Sequence, residues 1–251
     1  MPEIFSSLAG DGPISQFLTQ TGAWAATRAS STGNSLSTLT RSANGATTQH
    51  VAARGSAVAG ITRTFFLFDT SGISVAPSAA TLKIYGFFRN TADVIAVRST
   101  HAALGTLANG DFDALYGAST ALAASDADGA GTLAGISGLT YSAEISTWSN
   151  SGYNDIALNS TALNDMVSLD TFRVAVLEYD RDYLDVAPLD SAFVGAGMYF
   201  ANNTGTSKDP KIDYTAGVAG YGNAVMGVAS ANIGKINGVA TANIGKVNGV
   251  D

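Results

Sequence analysis

The chain has no cysteine in its 251 residues, which excludes a disulfide framework and a thiolate metal site. Histidine occurs only twice, at His50 and His101, and neither lies in a nucleophile elbow or a His-Glu metal spacing. Charge is also scarce, at 13% of residues, where ordinary domains carry about 25%. What charge there is leans acidic: 13 Lys and Arg against 20 Asp and Glu, a net −7. Such a balance repels a phosphate backbone, so no nucleic-acid partner is expected. No apolar run approaches the ~18 residues of a membrane span, so no membrane insertion is expected. The opening Met1-Pro-Glu-Ile-Phe-Ser-Ser7 lacks the basic stretch and apolar core of a secretory signal.

In place of charge there are 28 glycines and many Ala, Ser, Thr and Asn residues. The polar surface must therefore be made of hydroxyls, amides and backbone, which suits close packing against neighbours or contact with neutral sugars. Three regions are expected. Residues 1–22 carry Ile4, Phe5 and Leu8 before Gly10-Asp-Gly-Pro13, and read as a short N-terminal arm or a frayed end. Residues 23–215 read as strands bounded by Gly, Asn, Asp and Ser: hydroxyl-rich at 37–48, then 61–68, 80–89, 94–97, 172–179 and 197–200. One short helix is expected at 160–167, where Leu163, Met166 and Val167 have helical spacing. Many short strands without long helical periods predict an all-β, jelly-roll-like sandwich.

Residues 216–251 change character. Ala231-Asn-Ile-Gly-Lys-Ile-Asn-Gly-Val-Ala-Thr241 repeats as Ala242-Asn-Ile-Gly-Lys-Val-Asn-Gly-Val250, a period of 11. Two glycines per unit oppose helix. The Asn-Gly pairs predict tight turns between Ile236 and Val239 and between Val247 and Val250. The tail then reads as short β-turn rungs whose apolar positions, Ile233, Ile236, Val239, Ile244, Val247 and Val250, need a surface to dock on.

Little here resembles catalytic machinery. The acid pairs Asp111/Asp113 and Asp180/Asp182 have the composition glycosidases use, but an i, i+2 spacing fits solvated faces or turns better, so no enzyme is expected. Two clusters of hard oxygens, Asp126/Asp128 and Asp180/Asp182/Asp185, are of the sort a structural Ca²⁺ takes. The first lacks the rest of an EF-hand loop, the second contains Arg181 as an internal counter-ion, and plain turn acids are the competing reading. The glycines of 220–251 lack the Gly-Lys-Ser/Thr of a phosphate loop. Phe65, Phe66, Phe68, Phe87 and Phe88 are expected to alternate between two faces of their strands.

Several segments resemble the DNRLRE family of β-sandwiches. They are Arg63-Thr-Phe-Phe-Leu-Phe-Asp-Thr-Ser-Gly-Ile73, Ser78-Ala-Ala-Thr-Leu-Lys-Ile-Tyr85, Ser146-Thr-Trp148, Met198-Tyr-Phe200 and Lys208-Asp-Pro-Lys-Ile-Asp-Tyr214. The resemblance spans about 40–215 and implies a surface-type sandwich, some relatives of which are carbohydrate-binding modules. It implies a core position for Trp148. A sugar ring stacks on an aromatic face, and Trp148, Tyr153 and Tyr183 are the candidates, the two tyrosines as the more exposed.

The tandem Ile-Gly-Lys-Val-Asn-Gly-Val tail resembles the ends of phage structural proteins, as does Tyr141–Ile156 with Leu169-Asp-Thr-Phe172. The expectation is therefore a bacteriophage virion protein (fibre, head decoration or tail-attached), assembled in the host cytoplasm. It would be a homo-oligomer, trimeric if a fibre, contacting other virion proteins and cell-surface polysaccharide. The alternative is a carbohydrate-binding module of an extracellular or cell-surface protein.

Overall fold

The computed structural model describes residues 1–20, 23–37, 39–53, 56–103, 105–117, 133–187, 192–202, 204–217, 235–236 and 239–240. It is an all-β sandwich, 47% strand and 14% helix. The strands are β1 (Glu3–Phe5), β2 (Gly12–Gln20), β3 (Ser35–Leu36), β4 (Arg41–Ala53), β5 (Ser56–Asp69), β6 (Ala79–Asn90), β7 (Val94–Arg98), β8 (Tyr153–Ala157), β9 (Thr171–Glu178), β10 (Ala192–Tyr199), β11 (Lys211–Thr215), β12 (Lys235–Ile236) and β13 (Val239–Ala240). The helices are α1 (Ala23–Arg28) and α2 (Ser160–Ser168).

β1 to β11 form one antiparallel network in the order β1-β11-β6-β10-β4-β5-β2-β3, with β8 added on β6, β9 on β5, and β7 on β9. Two long strands are shared between neighbours. The first half of β6 lies between β11 and β8, and its second half pairs with β10. The first half of β5 lies between β2 and β4, and its end pairs with β9. Sharing folds the sheet over itself. Leu82, Ile84, Ile156 and Ile212 thereby meet Phe66, Phe68, Phe172, Val174, Val176, Val94 and Ala96 in the main core.

The other face of the β5–β9–β7 layer is buried too. Ile61, Phe65, Ala175, Leu177, Ile95 and Val97 pack under Trp24 of α1 and under Leu107, Phe112, Leu115, Leu133 and Leu139. Burial on both faces explains why Val174-Ala-Val-Leu177 is a continuous apolar run while β6 alternates. α2 lies where the sequence placed it. Asn159 caps it, accepting a hydrogen bond from the Ala162 amide at 3.1 Å, and Ala162 and Met166 enter the main core.

The first twenty residues are less peripheral than an arm. β1 extends the sheet edge through β11, with Ile4 opposite Ile212, and β2 pairs along β5 from Gly12–Phe65 to Gln20–Ala57. The inward positions of β2 include Gln16 beside Ile14, which hides its alternation.

Phe65 and Phe66 do alternate, falling in different cores. Phe87 and Phe88 do not. Gly197 pairs with Phe88 but Met198 pairs with Gly86, so Phe87 is an extra residue, a β-bulge. Both rings end on the outer face, Phe87 against Tyr199 and Phe88 against Phe193.

After Gly217, which packs on Ala76, the next described segment is the β12–β13 pair. Ile236 stands opposite Val239, the register expected for a two-residue turn, in a two-stranded sheet of its own. Ile233, Ile244, Val247 and Val250 lie outside the described residues, as do Asp126 and Asp128.

Candidate binding surface

Lys83, Tyr85 and Phe87 are outward side chains of β6, at alternate positions. The bulge then turns Arg89 away from this face, toward a groove. Around them the network assembles a strip of rings. Tyr85 meets Tyr153 of β8 edge-on at 5.4 Å between centroids, and Tyr199 of β10 also at 5.4 Å. Phe87 meets Tyr199 at 5.5 Å. Cations lie over the rings: Arg41 over Phe87 at 4.9 Å, Lys208 over Tyr199 at 4.6 Å, and Lys211 over Tyr153 at 5.4 Å.

The cations differ in their partners. Lys83 is paired with Asp155 at 3.2 Å and Asp213 at 3.5 Å. Lys211 is paired with Glu3 and with Asp213. Arg41 and Lys208 instead both donate to the Tyr199 phenol oxygen, at 2.9 and 3.3 Å. Burial alone would raise the Tyr199 phenol, but these two hydrogen bonds and their charges hold it below the usual tyrosine range.

Beside the strip lies a groove of about 650 Å³ lined by Arg89, Glu144–Ser149 and Tyr153–Asp155. Arg89 closes one wall, donating to Asp93 at 2.9 Å and to the Ser146 carbonyl at 2.7 Å. Trp148 is its apolar wall and is buried, with its indole N–H donating to the Gly197 carbonyl at 3.3 Å. The ring fits because Gly86 has no side chain: a Cβ there would come 2.2 Å from the Ser149 carbonyl and 2.5 Å from the indole nitrogen. Asn154 ties the rim, accepting from the Ser149 amide at 2.6 Å. Tyr153 is half-buried, and its hydroxyl donates toward the Ser207 and Asp209 carbonyls, fastening the loop before β11.

The acidic stretch at 178–185 is built differently from the expectation. Tyr179–Tyr183 forms a wide π-type turn closed by Glu178, whose carboxylate accepts from the Arg181 amide at 2.7 Å. Tyr183 is buried rather than exposed, at 6%, stacked on Tyr179 at 5.5 Å and hydrogen-bonded to Thr140 at 3.0 Å, so it offers no free face. Asp182 is fully buried and held by Arg63. Asp185 is paired with Arg28 at 3.2 Å and accepts from the Trp24 indole at 3.3 Å. Asp180 is exposed. Of the three acids of this candidate Ca²⁺ set, Asp182 and Asp185 thus share the Arg28 guanidinium, at 3.7 and 3.2 Å, while Asp180 stands apart in solvent. Among the described residues no group of three or more His, Asp or Glu side chains is arranged to hold a metal ion.

Three further groups are strongly perturbed. Burial pushes the Asp11 carboxyl up to about 7, against hydrogen bonds from the Ala201 amide and Ser6. Burial also pushes Glu178 up to about 7. His101 is lowered to about 3 by burial, with its ring nitrogens within 3.0 Å of the Gly10 carbonyl and 2.9 Å of Ser99. None of the three lines the groove.

No family model matches the chain, and no curated protein matches it at a significant level. Sequence reasoning had missed Arg28 and Arg63 as buried groups, and the strip as a unit. The strip did leave a signal: Lys83, Tyr85 and Phe87 share a period of two with no acid among them.

Proposed function

We propose that this chain is a structural protein of a bacteriophage virion, as fibre, head decoration or tail-attached component, and that it works by contact rather than catalysis. The observation that carries the reading is the β12–β13 pair. It belongs to a sheet separate from the sandwich, and Val239 is 48% exposed. A lone two-stranded hairpin is marginal in water, so an apolar repeat of this kind gains its stability by docking on sister subunits or another virion protein. The low charge and many small residues favour such close packing, and closed symmetry would cover sheet edges. The sandwich would then be the exterior-facing body of a homo-oligomer.

The test is direct detection. Antibody against the chain should label salt-washed particles at a fixed place, in repeated copies. Recovery of the chain only in the particle-free supernatant would contradict the reading.

A second reading, a carbohydrate-binding module, is favoured by the half-buried rings of Tyr85, Phe87 and Tyr153 beside a polar groove. Rings flanked by amides and carboxylates suit sugar stacking. The two readings are compatible, since an exterior virion protein meets cell-surface polysaccharide. Retardation in a polysaccharide gel that is lost in Tyr153→Ala supports it.

A further inference from the structure

Two cations of the outer strip have no acidic partner among the described residues. Among the described residues no carboxylate lies within 4.0 Å of Arg41 or Lys208. Both converge on one neutral acceptor, the Tyr199 hydroxyl, at 2.9 and 3.3 Å. Lys83 and Lys211, on the same face, are each matched to carboxylates. In a chain of net charge −7, two convergent unmatched cations stand out. Arg41 is exposed, and Lys208 and the Tyr85 and Phe87 rings are half-buried, so these four are reachable from solvent, with Tyr199 buried beneath the two cations.

We infer that Arg41, Lys208 and Tyr199 form a binding point for the acidic group of a saccharide, and that Tyr85 and Phe87, over which Lys208 and Arg41 lie at 5.2 and 4.9 Å, become the platform for its ring as the two cations swing to the acid. A guanidinium fork and an ammonium that share one phenol oxygen are spaced to share an anionic oxygen as well. The rings alone would hold a neutral sugar as well as an acidic one. The cations add discrimination, and their attraction is screened by salt. The inference deepens the carbohydrate-binding reading and rests on it. It is independent of whether the chain belongs to a virion.

The experiment is affinity electrophoresis and calorimetry of the full chain against neutral dextran, polygalacturonate, dextran sulfate, inorganic sulfate and single-stranded DNA. The expected result is binding to an acidic polysaccharide at least tenfold tighter than to dextran, weakening as NaCl rises. Polygalacturonate and dextran sulfate distinguish a carboxylate from a sulfate ester. The double variant Arg41→Gln, Lys208→Gln keeps the side-chain stems and should lose that tenfold preference, whereas Lys235→Gln, on the tail hairpin, should keep it. Tyrosine absorbance supplies a second measure: binding draws both cations off the phenol, so the titration of Tyr199 should move up. Binding to dextran, polygalacturonate and dextran sulfate with equal affinity would overturn this inference while leaving the sugar-binding reading intact. Failure to bind any polysaccharide would overturn both. Equal binding of DNA, or a preference unchanged in the double variant, would also overturn it.

Discussion

Arg63 grips Asp182 through two nitrogens, Nε to Oδ2 at 2.7 Å and Nη2 to Oδ1 at 2.8 Å, with the two side chains 0% and 1% exposed. The remaining Arg63 nitrogen donates to the Phe112 carbonyl at 3.0 Å, and the guanidinium lies 4.4 Å from the centre of the Phe112 ring. Arg28 joins from α1, donating to the Asp182 backbone carbonyl at 2.8 Å. This arrangement ties β5, α1, the π-type turn and the segment around Phe112 together under the second core.

Breaking such a pair strands a buried charge. Asp182→Ala should lower unfolding free energy by about 3–5 kcal/mol in urea. The paired replacement Arg63→Met with Asp182→Leu should cost much less than the sum of its singles, because no lone charge remains. A loss below about 1 kcal/mol in Asp182→Ala would mean the pair is open to water.

Stability should fall as pH rises from about 4.5 to 6.5. Asp11 and Glu178 bind a proton more tightly folded than unfolded, since burial raises each to about 7. Each therefore favours folding fully below its unfolded value and loses that contribution as pH rises through about 7. His101 has the opposite sign: lowered to about 3 by burial, it contributes fully above 6.5 and loses its contribution as pH falls. Of these three groups two lose and one gains in the overlapping window, and Asp113 and Asp209, also raised by burial, act in the same sense as the two, so the net slope is downward, on the order of 1 kcal/mol per pH unit. Asp11→Asn removes one of the losing groups and should flatten the profile. Urea titrations at several pH values check this. A wild-type stability that rises across the window would contradict it.

Gly86→Ala should displace Trp148. A Cβ at 2.5 Å from the indole nitrogen and 2.2 Å from the Ser149 carbonyl forces the groove wall to move. Overpacking of this kind costs about 1–3 kcal/mol. The urea midpoint should fall and tryptophan emission should shift to the red. An unchanged spectrum would show that the groove yields without strain.

Much of the sandwich was legible because β6 and α2 bury one face each, and their periods of 2 and 3.6 survive in the sequence. β2 was not, since its inward positions include Gln16 next to Ile14. The second core was not, because Leu107, Phe112, Leu115, Leu133 and Leu139 cover it from irregular chain with no period. Arg63 occupies a fully buried position in β5, where a charge reads as solvent-facing unless its partner 119 residues away is known. The candidate surface was half legible. Tyr153 and Trp148 were named as ring candidates and both line the groove. The gathering of Tyr199, Arg41 and Lys208 depends on strand order and on the bulge at Phe87, neither of which local spacing records.

The claim that the C-terminal repeats are a docking device is tested most directly by sedimentation equilibrium of the full chain and of a chain lacking residues 231–251. The account predicts that the full chain sediments as a fixed multiple of 25.5 kDa, that the shortened chain is a monomer, and that both melt within about 2 °C of each other in the sandwich transition. A full chain that stays monomeric at every concentration, or a shortened chain with the same oligomer mass, would contradict it.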